Sequence, residues 1–464
     1  MDITSTYEKW LSKAREQDKK EDRLAWRESP ESDLFHASLL QEHLEQMQAL
    51  RKAGNGAELI NLIIESLQRH SYELNNPKLY TYALSGTKLL IEEYFAEVER
   101  SIDYFCESEV NGFSKTKKLK MLQESNRIHG ETVLILSGGA ALGIYHLGVT
   151  RALHQENLLP RIISGASMGA LVAGSICSKT DAELDHFFEN LEAKVHRVAI
   201  RLASKADILD NRALMDPEQL KEHIHANVPE LTFKEAYEKT GRVLNISVSA
   251  SRKRQKPRVL NYITSPNVLI RNSVLASCAI PGVFPPVSLQ AKNHKGEIIP
   301  YMESETWIDG SIHLDVPIQR IMRLHNVTRS IVSQANPHVL PFIPEDKKEG
   351  LIPFFMDFVM STVQFQALKV MDLGIKLSEK MPWASFLEKV ASMMDQEYRG
   401  DINISYPIEW KTFTHLLANP NRDEFYDYIN KGQMATWPKI AFIKDQVRLN
   451  KILETNIAKI KEKT

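Results

Sequence analysis

The chain has 464 residues, of which 43% are hydrophobic and 25% are charged, and its formal net charge is -1. This length predicts about two or three structural units, and this composition is typical of a water-soluble globular protein. A near-neutral chain exerts no general attraction on nucleic acid, so we expect none as a partner. Its three cysteines, Cys106, Cys177 and Cys278, lie far apart and form no CxxC pair, which indicates a reducing compartment and no zinc site.

Targeting signals are the next feature to consider. The first twenty residues are charged and lack the apolar core of a signal peptide. No apolar run reaches the length of about 18 residues that a membrane-spanning helix needs. We therefore expect a cytoplasmic protein, and this expectation still allows binding to a lipid surface.

Residues 1–130 are predicted to form a helical N-terminal domain. Apolar residues recur at helical spacing in 33–54, where Gly54 ends the helix, and again in 57–70. Further along, Gly86 interrupts a third helical pattern over 78–105. The charged segment 114–130 is predicted to be a connector.

From residue 131 onward, strand and helix patterns alternate. The continuous apolar run at 132–137 is short and rich in β-branched residues, which is typical of a strand buried on both faces. Further strand patterns occur at 161–165, 242–250, 258–264 and 330–337. Helical patterns lie between them, which predicts an α/β domain over 131–340 with a largely parallel sheet and helices on both faces. Residues 341–464 are predicted to be mostly helical, with one extended piece at 401–407.

The stretch RIISGASMGALVAG, residues 161–174, places Ser167 between Gly165 and Gly169 where a strand pattern becomes a helical one. This Gly-x-Ser-x-Gly arrangement is that of a nucleophile elbow, which lifts a serine hydroxyl onto a sharp bend. The tight bend brings backbone atoms close on both sides, so a Cβ at either glycine would clash. The alternative is an ordinary glycine- and serine-rich loop that only turns the chain.

Two other segments offer what a nucleophilic serine needs, namely a base and donors for the oxyanion. The loop SGGAALG, residues 137–143, follows a strand and precedes a helix, where bare backbone N–H groups favour an oxyanion or a phosphate. Asp309, in TWIDGSIHLDVP, follows an apolar pair and precedes Gly310, so it can point into a site at the carboxyl end of the strands. Ordinary turns are the alternative for both segments.

In this order, SGGAALG, GASMG and DGS resemble the patatin-like acyl hydrolases, and SVLASCAIPGVFPPV (273–287) is similar to a further segment of that family. The resemblance implies an α/β fold with a Ser–Asp dyad and neither metal nor cofactor. Ser167 would be the nucleophile and Asp309 its base. The backbone amides of Gly138, Gly139 and Ala140 would form the oxyanion hole.

The chain departs from the family at its first motif. Many members carry Asp-Gly-Gly-Gly-x-Arg-Gly there, whereas this chain has Ser137 for the Asp, Ala140 for the third Gly and Leu142 for the Arg. Any role of the arginine charge is therefore absent. The role of the amides needs only backbone and is retained.

Five longer stretches are similar to the patatin-type triacylglycerol lipases of yeast and plants, which carry an additional helical N-terminal domain. They are residues 75–98, 160–174, 267–287, 333–339 and 397–407. The implied function is a lipid acyl hydrolase that releases fatty acids from glycerolipids, with triacylglycerol favoured and phospholipase A activity as the close alternative. The implied location is peripheral, at a membrane or lipid-droplet surface. The oligomeric state stays open.

Two other functions fit parts of the pattern. A carboxylesterase with a Ser–His–Asp triad is compatible with the chain order of Ser167, Asp309 and a later histidine, although none of the later histidines lies in a distinctive motif. These histidines are His313, His325, His338 and His415. His146 is predicted to be a packing or capping residue. A non-catalytic lipid-binding scaffold is the alternative from another class.

Three segments bear on how the chain would meet lipid. The basic stretch 251–258 is predicted to be a solvated turn, with contact to anionic headgroups as the alternative. The apolar stretch 351–365 is predicted to be a core helix, with an interfacial lid as the alternative. An apolar stripe along 442–460 packs on the body or lies on a bilayer.

Overall fold

The computed structural model describes residues 6–66, 72–191, 217–252, 255–281, 283–336, 339, 399–407 and 420–462, with backbone only at 312 and 313. The predicted helix at 351–365, together with His338 and His415, lies outside these residues. In the described ranges, no helix combines the length and the apolar character needed to cross a bilayer.

Six α-helices form the N-terminal part of the chain, as far as the structure describes it. They are α1 (Tyr7–Lys20), α2 (Arg23–Glu28), α3 (Ala37–Lys52), α4 (Gly56–Ser66), α5 (Leu89–Glu107) and α6 (Lys115–His129). The apolar residues spaced by three or four on α3, α4 and α5 are buried in one core. Leu40, Ile60 and Ile91 are examples from the three helices.

One expectation for this part is wrong. The predicted connector at 114–130 is the helix α6, which Ser114 caps and whose Leu122 is buried. The Lys118 ammonium of α6 donates to the carbonyl oxygens of Phe105 and Ser108, and this charged residue thereby stabilises the end of α5. The helical pattern over 78–105 is interrupted around Gly86 as expected, and its helix α5 begins only at Leu89.

In the ranges that the structure describes, nine strands follow. They are β1 (Glu131–Leu136), β2 (Ile162–Gly165), β3 (Val243–Ala250), β4 (Arg258–Leu260), β5 (Gln290–Lys292), β6 (Ile298–Pro300), β7 (Trp307–Asp309), β8 (Val327–Gln334) and β9 (Ile402–Ser405). The main sheet has the order β4-β3-β2-β1-β8-β9, and β7 also pairs with β3. All neighbours are parallel except β4 and β7, which are antiparallel to β3. The expected α/β fold with a largely parallel sheet is confirmed.

Helices cover both faces of this sheet. Those between the strands are α7 (Tyr145–Gln155), α8 (Met168–Cys177), α9 (Asp181–Glu189), α10 (Pro217–Asn227), α11 (Phe233–Thr240), α12 (Ile270–Ser277), α13 (Ser311–Leu314) and α14 (Ile318–His325). Leu134 and Leu136 of β1 join the larger core, whereas Val133 and Ile135 join a second core on the other face with Ile321 of α14. Alternate residues of one strand thus face opposite cores.

Two helices end the described chain, α15 (Arg422–Thr436) and α16 (Ile440–Glu462). The apolar stripe of α16 packs on the body, since Phe442 stacks on Tyr80 with ring centres 4.3 Å apart and Leu453 is buried. One apolar core therefore joins the N-terminal helices, the sheet and α16. The domain boundaries at 130 and 340 stay predictions.

Candidate active site

Ser167 lies between β2 and α8 in a strained backbone conformation, with φ 53° and ψ -125°. The two flanking glycines are sterically required. A Cβ at Gly165 would lie 2.3 Å from the carbonyl oxygen of Gly169, and a Cβ at Gly169 would lie 2.2 Å from that of Leu136. No larger residue fits at either position, which is the steric situation expected of an elbow.

The end of α12 supports the elbow from behind. The Ser167 N–H donates to the Ser277 hydroxyl at 2.9 Å, and that hydroxyl donates to the carbonyl oxygen of Ser247 in β3 at 2.7 Å. The Cys278 thiol donates to the carbonyl oxygen of Ser167 at 3.3 Å. Backbone atoms of the serine are thus fixed on both sides, while its side chain is left for other contacts.

Asp309 reaches Ser167 because β7 fills the place that β2 leaves vacant beside β3. β2 pairs with β3 only as far as Ile246, opposite Gly165. Two residues further along β3, Val248 pairs with β4 on one side and with Asp309 on the other. β2 and β7 therefore occupy the same side of β3 and approach each other end to end.

The Asp309 carboxyl is buried and has two unlike oxygens. Oδ1 accepts hydrogen bonds from the Ser311 N–H at 2.8 Å and from its hydroxyl at 2.7 Å. Oδ2 has no hydrogen-bond partner among the described residues, and the Ser167 hydroxyl nevertheless lies close enough to lower the pKa of the carboxyl. Burial outweighs this effect and that of Ser311, so the pKa of Asp309 is raised to about 6.

The glycine loop begins at the end of β1 and faces the same region. The N–H of Gly138 donates to Oδ1 of Asp315 at 2.6 Å, so it is not available to an oxyanion. The expectation that three amides line the hole is corrected for Gly138. In the described part of the chain, the N–H groups of Gly139 and Ala140 donate no hydrogen bond. Ala140 has φ 47°, a strained conformation for a residue with a side chain.

Two of the histidines considered from the sequence are described with their side chains. His146 is fully buried, and its ring nitrogens lie 2.7 Å from the Ser333 hydroxyl and 2.9 Å from the carbonyl oxygen of Ser137. His325 precedes β8 and bonds Asn245 at 2.9 Å, which puts it at the amino edge of the sheet, opposite to Ser167. Neither imidazole contacts Asp309 or Ser167.

A cavity of about 320 Å³ lies between α10, α12 and residues 284–290. Its apolar walls include Ile224, Leu275, Ala279, Phe284 and Val287. Ala279 connects this cavity to Asp309, because the Ala279 carbonyl oxygen accepts a hydrogen bond from the Asp309 N–H at 3.0 Å. Charged residues such as Lys221 and Arg271 also line it.

Sequence reasoning assigned no role to four residues that shape this site, namely Ser137, Ser277, Ser311 and the buried Asp315. Each of them lies within a motif that the sequence offered, at 137–143, 273–287 or 306–317. No group of three or more metal-ligating side chains occurs among the residues that the structure describes.

Comparison with known proteins places the chain in a family. Residues 134–321 match the family described as patatin-like phospholipase, and residues 1–127 match a domain of unknown function, DUF3336. Triacylglycerol lipase ptl2 of Schizosaccharomyces pombe is 30% identical over 97% of this chain and 73% of its own length. The fold is that of an α/β protein with a serine elbow, and the chain belongs to the patatin-like phospholipase family. The resemblance seen in the sequence is confirmed.

Two other relatives are longer than this chain. Triacylglycerol lipase SDP1L of Arabidopsis thaliana is 33% identical over 95% of this chain and 55% of its own length. Triacylglycerol lipase 4 of Saccharomyces cerevisiae is 31% identical over 98% of this chain and 52% of its own length. The chain thus spans about half the length of these two relatives.

Proposed function

We propose that this protein is a serine-dependent lipid acyl hydrolase that releases fatty acids from glycerolipids, with triacylglycerol as its main substrate and phospholipid as the close alternative. The observation that carries the proposal is the meeting of Ser167 with the buried Asp309 at the carboxyl end of β2. The names of the relatives support triacylglycerol, since each is called a triacylglycerol lipase.

The two Asp309 oxygens suit different tasks. Oδ1 is fixed by Ser311, and Oδ2 is the oxygen that takes the proton from the Ser167 hydroxyl as Oγ attacks the ester carbonyl. The raised pKa of Asp309 lies nearer to the working pH than that of an exposed aspartate, and it makes the Asp309 carboxylate a stronger base. The N–H groups of Gly139 and Ala140 then stabilise the oxyanion.

Collapse of the tetrahedral intermediate breaks the ester C–O bond, and the departing glyceride alkoxide takes the proton from Asp309. Water then attacks the acyl-enzyme while Asp309 accepts one of its protons, and Ser167 regains that proton as the fatty acid leaves. The cavity beside Ala279 offers apolar walls to an acyl chain. This cycle uses no metal and no cofactor.

Peripheral association with a membrane or lipid-droplet surface, from the cytoplasm, forms part of the proposal, because the substrate is insoluble. The β5–β6 hairpin supports it, since Ile298 and Ile299 expose 46% and 42% of their surface on adjoining positions. The basic stretch 251–258 supports peripheral association less, because Arg252 already pairs with Glu305 and Arg258 lies over the Trp307 ring.

A fluorophosphonate probe and lipid-class analysis together test this function. The wild type should be labelled and should release fatty acid from mixed glycerolipids, and Ser167→Ala should do neither. A wild type that is neither labelled nor active would favour the non-catalytic scaffold. An active protein whose lipid products include no fatty acid from triacylglycerol would move the assignment to phospholipase A.

A further inference from the structure

The peptide group between Ser137 and Gly138 is held at both of its polar ends. Its carbonyl oxygen lies 2.9 Å from Nε2 of His146, and its N–H donates to Asp315 Oδ1 at 2.6 Å. A carbonyl oxygen can only accept, so Nε2 carries the proton and Nδ1 accepts from the Ser333 hydroxyl at 2.7 Å. The imidazole thus connects the loop to β8.

The following peptide group, between Gly138 and Gly139, is held by its carbonyl oxygen alone. The Ser137 hydroxyl donates to that oxygen at 2.8 Å and accepts from the Ala335 N–H at 2.9 Å. In a trans peptide the N–H points opposite to the C=O. The Gly139 N–H therefore points away from the Ser137 hydroxyl, and nothing in the described chain accepts from it.

We propose that Ser137, His146 and Asp315 are positioning residues that fix the two peptide groups before Ala140 and so direct the Gly139 N–H toward the oxyanion. This inference rests on the proposed function. It gives Ser137 a specific task at the position where many family members carry an aspartate.

Burial makes such a network costly unless it is fully paired, and all three side chains are 0% exposed. His146 is held neutral, because burial lowers its pKa to about 4. Asp315 is buried near the like charge of Asp309, and it bonds the Asn336 amide at 2.9 Å as well as Gly138. The donors of the hole are thus oriented before substrate arrives, which is the condition for electrostatic stabilisation of a transition state.

The test compares Ser137→Ala with Ser137→Thr, which keeps the hydroxyl. Both kcat and KM would be measured on a soluble p-nitrophenyl ester, and Ki on an alkyl trifluoromethyl ketone, whose adduct with serine imitates the tetrahedral intermediate. We expect Ser137→Ala to lower kcat by about tenfold to a hundredfold, less than the loss of a whole donor, with KM within about twofold. Ki should rise by the same factor as kcat falls, and Ser137→Thr should recover much of both.

Two further variants keep the test decisive if threonine does not fit. Ser333→Ala removes the hydroxyl that donates to His146 Nδ1, which is one hydrogen bond further from the loop. It should lower kcat and raise Ki by the same factor, and this factor should be smaller than for Ser137→Ala. Ser330→Ala is the matched control, because it removes a buried hydroxyl from the same strand, where it bonds Asp401 at 2.8 Å. It should leave kcat and Ki unchanged.

The outcomes separate the two proposals. An active wild type whose Ser137→Ala variant keeps its kcat would overturn the positioning role alone. The same conclusion follows if kcat falls without a matching rise in Ki. A general loosening of the fold would lower kcat but would not raise Ki by the same factor. A wild type that neither hydrolyses esters nor binds the ketone would overturn the proposed function together with this inference.

Discussion

Asp309 pairs with Val248 on the side of β3 that faces β2, at the level that Ser167 would occupy if β2 continued straight. β2 instead turns away at the elbow, and the end of β7 takes its place. The carboxyl and the hydroxyl are thus brought together by the backbone of three strands, and two flexible loops could not hold them with the same precision.

The first prediction concerns Asp309→Asn. An amide has nearly the same shape as the carboxylate but does not take the serine proton, so the fold should persist while kcat falls by about 10²- to 10⁴-fold. The measurements are kcat on a soluble ester and the melting temperature. Near-normal turnover in this variant would favour a histidine base instead.

Asp445→Asn is the matched control for that experiment. Asp445 is also a buried carboxyl, but it lies on α16 and accepts from the Tyr80 hydroxyl at 2.9 Å. An asparagine can still accept this bond, and the position is far along the chain from the elbow. We expect wild-type kcat from it.

The second prediction concerns the pH dependence of activity. Asp309 must be ionised to act as a base, so kcat/KM should fall as the pH drops through about 6. The Ser311 hydroxyl lowers this pKa by bonding Oδ1, so Ser311→Ala should move the acid limb to higher pH. A limb that stays in place, or moves to lower pH, would contradict the assignment of Asp309.

The third prediction concerns stability and uses Asp445. Burial raises its pKa from 3.8 to about 7, so between these values the folded protein binds the proton that the unfolded chain has lost. The contribution of this group to stability is therefore fully present below pH 3.8 and is lost as the pH rises through about 7. Urea unfolding at pH 5 and pH 8 should show a smaller decline for Asp445→Asn than for the wild type. An equal decline would mean that Asp445 is ionised at both pH values.

The fourth prediction concerns Gly139→Ala. A Cβ at this position would lie 2.8 Å from the carbonyl oxygen of Ala335, so the loop must move to accommodate it. The displaced donor should cost about 10²- to 10³-fold in kcat. Steady-state kinetics and melting temperature are the measurements. Unchanged kinetics in a folded variant would show that the loop is only a turn.

The fifth prediction concerns contact with lipid. Replacing Ile298 and Ile299 by serine should reduce co-sedimentation with vesicles, because it removes exposed apolar surface from the hairpin. Ile128→Ser is the matched control, since Ile128 is 66% exposed on α6 and should not affect binding.

A salt series with anionic vesicles separates the electrostatic part of that binding. Raising the ionic strength from 0.1 M to 1 M shortens the screening length from about 10 Å to about 3 Å, so binding through Lys253, Arg254 and Lys256 should weaken. Equal pelleting at all salt concentrations, with neutral and anionic vesicles alike, would leave 251–258 as an ordinary solvated turn.

The sequence predicted those features of the fold that depend on a local pattern of residues. The strands at 131–136 and 243–250 follow from apolar runs, and the steric need for Gly165 and Gly169 follows from the sharpness of the bend. The helix α6 was missed because its buried side is narrow and its lysines resemble those of a solvated linker.

Other features depend on contacts between distant positions, and no local pattern reveals them. Gly138 and Asp315 are far apart in the chain. The hydrogen bond from the Gly138 N–H to the Asp315 carboxylate is therefore visible only in the three-dimensional structure. The neutral state of His146 likewise depends on complete burial, which a helical pattern does not specify.

The end-to-end meeting of β2 and β7 also constrains the order in which activity can appear. The strand, turn and helix of the elbow lie within residues 162–177, whereas Asp309 joins Ser167 only when β7 pairs with β3. Contacts of such large sequence separation form late, because closing the intervening loop costs entropy. Under the proposed mechanism, a nascent or truncated chain carries Ser167 without Asp309 and should not hydrolyse lipid. Under the same mechanism, labelling of Ser167 should measure the fraction of molecules that have completed the sheet, independently of how much protein has been made.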